Sequence, residues 1–177
     1  LTKRVPIKIS HLKTGVKKAD KYSRILDLTK GIDYKRRSET FKQPLHWGQL
    51  KLMLTEVEFL SKIMIEHQND TRKIYFIYAG AAPGHHIYFL QKMFPMVYFE
   101  LYDPNDFVVK DNATLKTHVQ FFMNEDAENK KKRTSEENLY LTFCSDIRTE
   151  PATNENIVRN MEMQKQWWLI MNPELSM

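Results

Sequence analysis

Cysteine and glycine are both scarce in this sequence. Among its 177 residues there are one cysteine, Cys144, and five glycines. A single cysteine excludes an internal disulfide framework and is typical of proteins from a reducing compartment. No apolar run approaches the roughly 20 residues of a membrane-spanning helix, and the basic first ten residues lack the apolar stretch of a secretory signal. With 42% apolar residues, we expect a globular cytoplasmic chain that is not secreted and has no membrane partner.

The net charge of +5 is unevenly distributed along the chain. Residues 1–45 contain 13 Lys and Arg against 4 Asp and Glu, whereas residues 46–177 contain 14 against 18. We therefore divide the chain into a basic N-terminal arm, residues 1–45, and a body, residues 46–177. The arm favours a polyanionic partner. The alternatives to a polyanionic partner are that the arm is a solvated tail or that it contacts another part of a longer protein. The second is open because the chain begins at Leu1 rather than Met, and we expect it to be a fragment.

The body alternates short apolar runs with longer amphipathic stretches. Apolar residues at helical spacing predict a first helix over residues 47–66. Five strands are predicted, at residues 73–79, 97–102, 118–122, 139–144 and 167–171. Further helices are predicted at residues 84–93, 124–138 and 154–165, and a helical turn near residues 112–116. In this pattern residues 130–133 (KKKR) lie on the solvent side of their helix, and Trp167 and Trp168 lie on opposite faces of the sheet. Strands that alternate with helices predict an α/β fold with a doubly wound, mostly parallel sheet.

Small and acidic residues follow three of the predicted strands. Gly80 and Gly84 belong to the hexapeptide AGAAPG (79–84), directly after the first strand, where small residues allow a ligand to approach the backbone. Asp103 ends the second strand, where a carboxylate can accept ribose hydroxyls, and Asp146 follows the fourth. Because the carboxyl ends of parallel strands meet at one edge of a sheet, we expect these residues to converge in one crevice. The alternative interpretation of residues 79–84 is an ordinary tight turn from a strand to a helix, without a ligand.

Two other ligand classes fit the residues poorly. His85 and His86 are adjacent, and no Cys, Asp or Glu lies nearby at ligand spacing, so we predict no metal site. The turn after the first strand lacks the GxGxxG spacing of nicotinamide-binding enzymes.

The motifs at the predicted sheet edge resemble a known enzyme family. The GAAPG segment (80–84) resembles the GxxPG signature of FtsJ-like RNA 2′-O-ribose methyltransferases, with Asp146 in the place of their strand-four aspartate. The closer resemblance is to the poxvirus-type cap-specific mRNA 2′-O-methyltransferases, through GQLK (48–51), SDIR (145–148) and NP (172–173), over about residues 45–173. The resemblance implies a large cytoplasmic DNA virus such as an asfarvirus as the source, and the host cytoplasm or the virion as the location.

The resemblance implies a Rossmann-like sheet, S-adenosyl-L-methionine as cofactor and capped mRNA as partner. Lys51 and Asp146 match two residues of the family's catalytic Lys-Asp-Lys-Glu set; Lys51 alternatively belongs to a solvated helix face. Arg148 either contacts RNA phosphate or is a surface arginine. Asn105 departs from the family, in which a close relative has arginine. The cofactor-binding residues implied by the resemblance are Gln49, Tyr78, Gly80, Ala82, Pro83, Gly84, His86, Asp103, Phe122 and Met123.

The first hypothesis is accordingly an RNA 2′-O-ribose methyltransferase that modifies the nucleotide next to the mRNA cap. In the family the second lysine and the glutamate come after the Asn-Pro pair, and the usual sheet has seven strands. We therefore expect a sheet truncated after its fifth strand, weak or no catalysis by these 177 residues, and self-association through the open sheet edge. The second hypothesis is an inactive protein of the same fold that serves as an RNA-binding or scaffolding component of a virion or transcription complex.

Overall fold

The structure is a computed structural model that describes residues 47–149, 151 and 153–177, with the backbone alone at residues 47–49. The predicted basic arm, residues 1–45, lies outside the described residues, and so does the side chain of Gln49. The division into arm and body therefore stays a prediction.

Strands and helices alternate along the described part of the chain. Their bounds are α1 Trp47–Glu66, β1 Ile74–Ala79, α2 Ile87–Met93, β2 Val97–Asp103, β3 Leu115–Val119, α3 Asn124–Glu137, β4 Tyr140–Ser145, α4 Asn154–Met171 and β5 Leu175–Ser176. The strands form one sheet in the order β3-β2-β1-β4-β5, and every pair of neighbours is parallel. The strand order reverses at β1, between β2 and β4, which is the place where such sheets open a ligand crevice. The predicted Rossmann-like α/β fold is confirmed.

Helices cover both faces of the sheet, as a doubly wound fold requires. On one face, Phe76 and Tyr78 of β1 pack with α1 and α2 through residues such as Leu60 and Leu90. On the other face, the alternate residues of β1 pack with α3 and α4, where Trp167 is buried. Because both faces are covered, all six residues of β1 are buried and the strand reads as a continuous apolar run.

The third strand starts earlier than predicted. We expected a helical turn near residues 112–116 and a strand at 118–122, whereas β3 runs from Leu115 to Val119. Leu115 is buried and pairs with Phe99 of β2, and the side chain of Asn112 accepts the Thr114 N–H (2.9 Å) in a turn just before the strand. The prediction was wrong because the apolar residues at 121–123 come after the strand, in the segment that leads to α3.

The segment WWLIM, residues 167–171, is helical and not the fifth strand. Helix α4 continues to Met171 and ends at Asn172, which has a left-handed conformation (φ +47°) and precedes Pro173. Trp167 and Met171 are four residues apart and both buried, whereas Trp168 is 40% exposed. The two tryptophans therefore do not lie on opposite faces of the sheet. A short apolar run does not distinguish a strand from the last turns of a helix, and here the four-residue spacing of buried side chains decides.

The basic cluster on α3 is only partly solvated, because two of its members reach a buried carboxylate. Lys130 and Arg133 both contact Glu100 of β2, which is 2% exposed. Glu100 also accepts hydrogen bonds from His118 (2.8 Å) and from the hydroxyl of Tyr75. Burial would raise the pKa of Glu100, but the bonds from His118, Lys130 and Tyr75 outweigh it and hold this pKa well below its usual range.

In the described part of the chain, no helix combines the length and the apolar character needed to cross a membrane. The edges of the described sheet are β3 and β5. Self-association through a sheet edge stays a prediction.

Candidate functional site

The turn after β1 packs tightly against the end of β4. Gly80 has a left-handed backbone (φ +85°), and a Cβ atom there would lie 2.8 Å from the carbonyl carbon and oxygen of Asp146 and 2.9 Å from the nitrogen of Ile147. The Asp146 N–H donates a hydrogen bond to the carbonyl of Ala79 (3.0 Å). Glycine is therefore required at position 80 both for its conformation and for the close approach of the two chain segments.

Asp103 links the end of β2 to the same turn. Its Oδ2 accepts the Ala82 N–H (3.1 Å), and its Oδ1 accepts the backbone N–H and the side-chain amide of Asn105 (2.9 Å each). A carboxylate has about four acceptor positions, so these three bonds leave one for a ligand hydroxyl. Asn105, which departs from the methyltransferase pattern, thus orients Asp103 in this chain.

Two adjoining cavities open at this edge of the sheet. The α1-side cavity has a volume of about 270 Å³ and is lined by residues that include Leu52, Tyr78 and His86. The α4-side cavity has a volume of about 290 Å³. Both are lined by Gly80, Ala82, Asp146 and Arg148. Together the cavities form one crevice where the ends of β1, β2 and β4 meet, as the positions of Gly80, Asp103 and Asp146 in the sequence lead one to expect.

Aromatic side chains form a wall of the α4-side cavity. Phe122 is buried and packs edge-to-face against Tyr102, with ring centroids 4.9 Å apart, and against Trp167 at 5.1 Å. Phe121 also lines this cavity and is 64% exposed. An aromatic wall with the carboxylate of Asp103 in the same cavity can stack a flat base and accept a hydrogen bond from the attached ribose.

A buried carboxylate holds two residues of the α1-side cavity. Glu56 of α1 is fully buried, and its Oε1 accepts hydrogen bonds from the hydroxyl of Tyr78 (2.7 Å) and from Nε2 of His86 (2.9 Å). Burial raises the pKa of Tyr78, and nearby Cys144 and Glu56 add to the shift, so the phenol keeps its proton. Tyr78 and His86 are thus fixed by a residue on a helix that precedes them in the sequence.

The two predicted catalytic residues are not brought together at the crevice. Asp146 lines both cavities and forms an ion pair with Arg148, whose nearest nitrogen is 3.1 Å from Oδ1. Lys51 is exposed and lines neither cavity, whereas its neighbour Leu52 lines the α1-side cavity. Successive residues on a helix point about 100° apart, so α1 presents Leu52 to the crevice and turns Lys51 away from it.

A comparison with protein-family models identifies the family. Residues 17–177 match the model of the poly A polymerase regulatory subunit. The chain belongs to this family. The match covers all of the described residues and part of the predicted basic arm.

This match corrects two predictions. The identification of the chain as an FtsJ-like RNA 2′-O-ribose methyltransferase was wrong, and so was the function of methylating the nucleotide next to an mRNA cap, because the matching family is a regulatory subunit of poly A polymerase. The glycine turn and the acidic strand ends indicate a ligand crevice in a Rossmann-like sheet. Such sheets support many functions, so these features do not determine a reaction.

Most of the predicted site residues of this regulatory-subunit chain do lie at the crevice. Those that line at least one cavity are Tyr78, Gly80, Ala82, Pro83, Gly84, His86, Asp103, Phe122, Asp146 and Arg148. Met123 lines neither cavity; it is 55% exposed and stands at the N-terminal cap of α3. The chemical roles of all these residues stay predictions.

Sequence reasoning assigned no site role to three residues that shape the crevice. Trp167 and Met163 of α4 line the α4-side cavity, but the segment around Trp167 was predicted to be a strand. The spacing of Met163, Trp167 and Met171 by four residues was the signal for a continuous helix. Glu56 belongs to the stretch that resembles the methyltransferases, but its contacts were not predictable from spacing, because its partners are 22 and 30 residues away in the sequence.

Within residues 47–149 and 153–177, no group of three or more His, Cys, Asp or Glu side chains could hold a metal ion.

Proposed function

We propose that this chain acts in mRNA polyadenylation as a regulatory subunit that binds RNA and the catalytic subunit of a poly(A) polymerase. The observation that carries the proposal is the family match over residues 17–177. The composition of residues 1–45, with 13 Lys and Arg against 4 Asp and Glu, supplies the positive charge that a phosphate backbone requires.

Arg148 is the best candidate for an RNA contact at the crevice. Its side chain is 80% exposed and is held by an ion pair with Asp146, itself 29% exposed. Ion pairs so accessible to water contribute little to stability, so the guanidinium can exchange Asp146 for a phosphate at small cost.

The test is addition of the 177-residue chain to the catalytic subunit of a poly(A) polymerase on an oligo(A) primer. We expect longer tails, measured on denaturing gels, and salt-dependent binding of oligo(A), measured by fluorescence anisotropy. Arg148→Ala is expected to weaken RNA binding and to reduce the salt slope by about 1, as the loss of one phosphate contact does. Lys131→Ala, an exposed residue of α3, is the matched control and should change neither. Unchanged tail length together with no binding of oligo(A) would contradict the proposal.

We further propose S-adenosyl-L-methionine as the ligand of the crevice. Three features support it: the aromatic wall, the carboxylate of Asp103 with one unused acceptor position, and a second cavity next to the first for the methionine part. Isothermal titration with the 177-residue chain tests the idea. Asp103→Ala is expected to abolish binding, whereas Asp106→Ala, in the same loop but lining neither cavity, should leave it intact. Absence of heat with the unmodified chain would rule this ligand out.

Binding of this ligand does not imply turnover. That the chain is an enzyme stays a prediction, and so does the expectation that these 177 residues are weak or inactive in methyl transfer. The exposed position of Lys51 and the ion pair of Asp146 with Arg148 agree with a site that binds without an assembled catalytic set.

A further inference from the structure

The two cavities of the crevice meet at an ion pair. Four residues line both cavities: Gly80, Ala82, Asp146 and Arg148. The first two have small side chains or none, so the charged side chains shared by the two cavities are those of Asp146 and Arg148. A ligand that occupies both cavities therefore passes this ion pair, and its charge at that point acts on both partners.

The two partners of the ion pair differ in how firmly they are held. The backbone of Asp146 is fixed, because its N–H donates to the carbonyl of Ala79 (3.0 Å) and its carbonyl group packs closely against Gly80. The side chain of Arg148 is 80% exposed, and among the described residues its guanidinium bonds to Asp146. Arg148 can therefore turn away into solvent while the carboxylate of Asp146 stays between the cavities.

The release of Arg148 leaves a negative charge in the crevice. Its guanidinium nitrogens Nε and Nη2 lie 3.2 Å and 3.1 Å from Oδ1 of Asp146, and Nη2 is 3.5 Å from Oδ2. Asp146 is only 29% exposed, so after Arg148 has moved to a phosphate this partly buried carboxylate lacks its counter-charge and repels the phosphate. A cation bound between the cavities replaces the guanidinium and removes both costs.

We propose that the Asp146–Arg148 ion pair couples the crevice to RNA: a ligand that is positively charged between the cavities binds Asp146, releases Arg148 and so strengthens RNA binding. The inference rests on both parts of the proposed function, RNA binding and S-adenosyl-L-methionine as the ligand. With the base at the aromatic wall of the α4-side cavity and the methionine part in the α1-side cavity, the sulfonium falls between them, where the ion pair is.

The strength of the ion pair limits the size of the coupling. Pairs so accessible to water change an equilibrium by no more than about fivefold. Coupling between two binding sites is reciprocal, so RNA must change the affinity for the ligand by the same factor as the ligand changes the affinity for RNA. We therefore expect a change of about two- to fivefold in either direction.

Fluorescence anisotropy with labelled oligo(A) at low salt measures the coupling. We expect saturating S-adenosyl-L-methionine to tighten binding of oligo(A) about two- to fivefold, and S-adenosylhomocysteine, whose sulfur is neutral, to leave it unchanged. This difference between the ligands should disappear in Arg148→Ala and persist in the matched control Lys131→Ala. A sulfonium that attracted RNA directly would keep the difference in Arg148→Ala, and that result would overturn the role of the ion pair.

Two variants test the ion pair with one binding partner at a time. Asp146→Asn releases Arg148 without any ligand, so it should bind oligo(A) about two- to fivefold more tightly than the unmodified chain. Arg148→Ala releases Asp146, so isothermal titration should show S-adenosyl-L-methionine bound more tightly by a similar factor, although a residue that lines the cavity has been truncated. A merely structural role would weaken binding in both variants, and weaker or unchanged binding would contradict the proposal.

The same measurements separate the possible failures. If the chain binds oligo(A) but not S-adenosyl-L-methionine, the proposed ligand and the coupling fail, and Asp146→Asn still decides whether the ion pair restrains Arg148. If the chain binds the ligand but not oligo(A), the RNA-binding proposal and the coupling fail, and titration of Arg148→Ala still decides whether the ion pair restrains Asp146. Binding of both without any mutual effect would overturn the coupling alone.

Discussion

Replacement of Gly80 by alanine measures how strongly the turn after β1 depends on its contact with β4. Two costs add. A residue with a Cβ atom in the left-handed conformation loses about 1–2 kcal/mol. The new Cβ would also lie 2.8 Å from backbone atoms of Asp146, which cannot rotate away, and forced contacts of this kind cost about 1–3 kcal/mol. We expect Gly80→Ala to lower the free energy of unfolding by about 2–5 kcal/mol.

Gly84→Ala is the control that separates the two costs. Gly84 also has a left-handed backbone (φ +76°), but a Cβ there would have the side chain of Val109 as its nearest neighbour, at 3.4 Å. It therefore carries the conformational cost, about 1–2 kcal/mol, without the clash. Urea unfolding followed by circular dichroism should show a larger loss for Gly80→Ala by about 1–3 kcal/mol. Equal losses would refute the claim that close approach, as well as conformation, requires glycine at position 80.

Three further predictions follow from burial and charge. Trp167→Ala should lose about 3–5 kcal/mol of unfolding free energy and Trp168→Ala about 1 kcal/mol or less, because only the first is buried; equal losses would contradict the helical assignment of this segment. Since the pKa of Glu100 is held below its usual value, its stabilisation is complete at neutral pH and is lost as the pH falls below about 4.3. Glu100→Gln should therefore be less stable at pH 7 and flatten the decline in acid, unlike the exposed control Glu136→Gln; a profile parallel to the unmodified chain would count against this role. Burial raises the pKa of the Cys144 thiol, so iodoacetamide should label the folded chain far more slowly than the urea-unfolded one, and equal rates would disprove its burial.

The local spacing of apolar residues was sufficient to predict most of the helices and strands. Helix α1 and strands β1, β2 and β4 lie within one residue of their predicted bounds, because their apolar spacing matches a single kind of element. Helix α2 begins three residues later than predicted, at Ile87. The segment at 167–171 was misread, since five consecutive apolar residues fit either a buried strand or the end of a helix.

The crevice was predictable only in part. Gly80 and Asp146 each follow a strand and Asp103 ends one, so a parallel sheet brings them to one edge by topology alone. The orientation of the Lys51 side chain relative to the crevice was not predictable in this way, because the direction of a side chain on α1 depends on how that helix packs on the sheet. The function was not predictable from these motifs either, since ligand crevices of this kind occur with many activities.

The sequence by itself determined the α/β alternation, the glycine turn after β1 and the edge at which a ligand crevice opens, because these follow from short-range spacing and from the parallel arrangement it implies. The tertiary structure decided which side chains meet there. Glu56 forms hydrogen bonds with Tyr78 and His86, and Glu100 with Lys130 and Arg133. The partners in these bonds are 22 to 33 residues apart in the sequence. Each of these contacts pairs a buried carboxylate with donors on other elements, and a buried charge finds its partners only once the elements have packed.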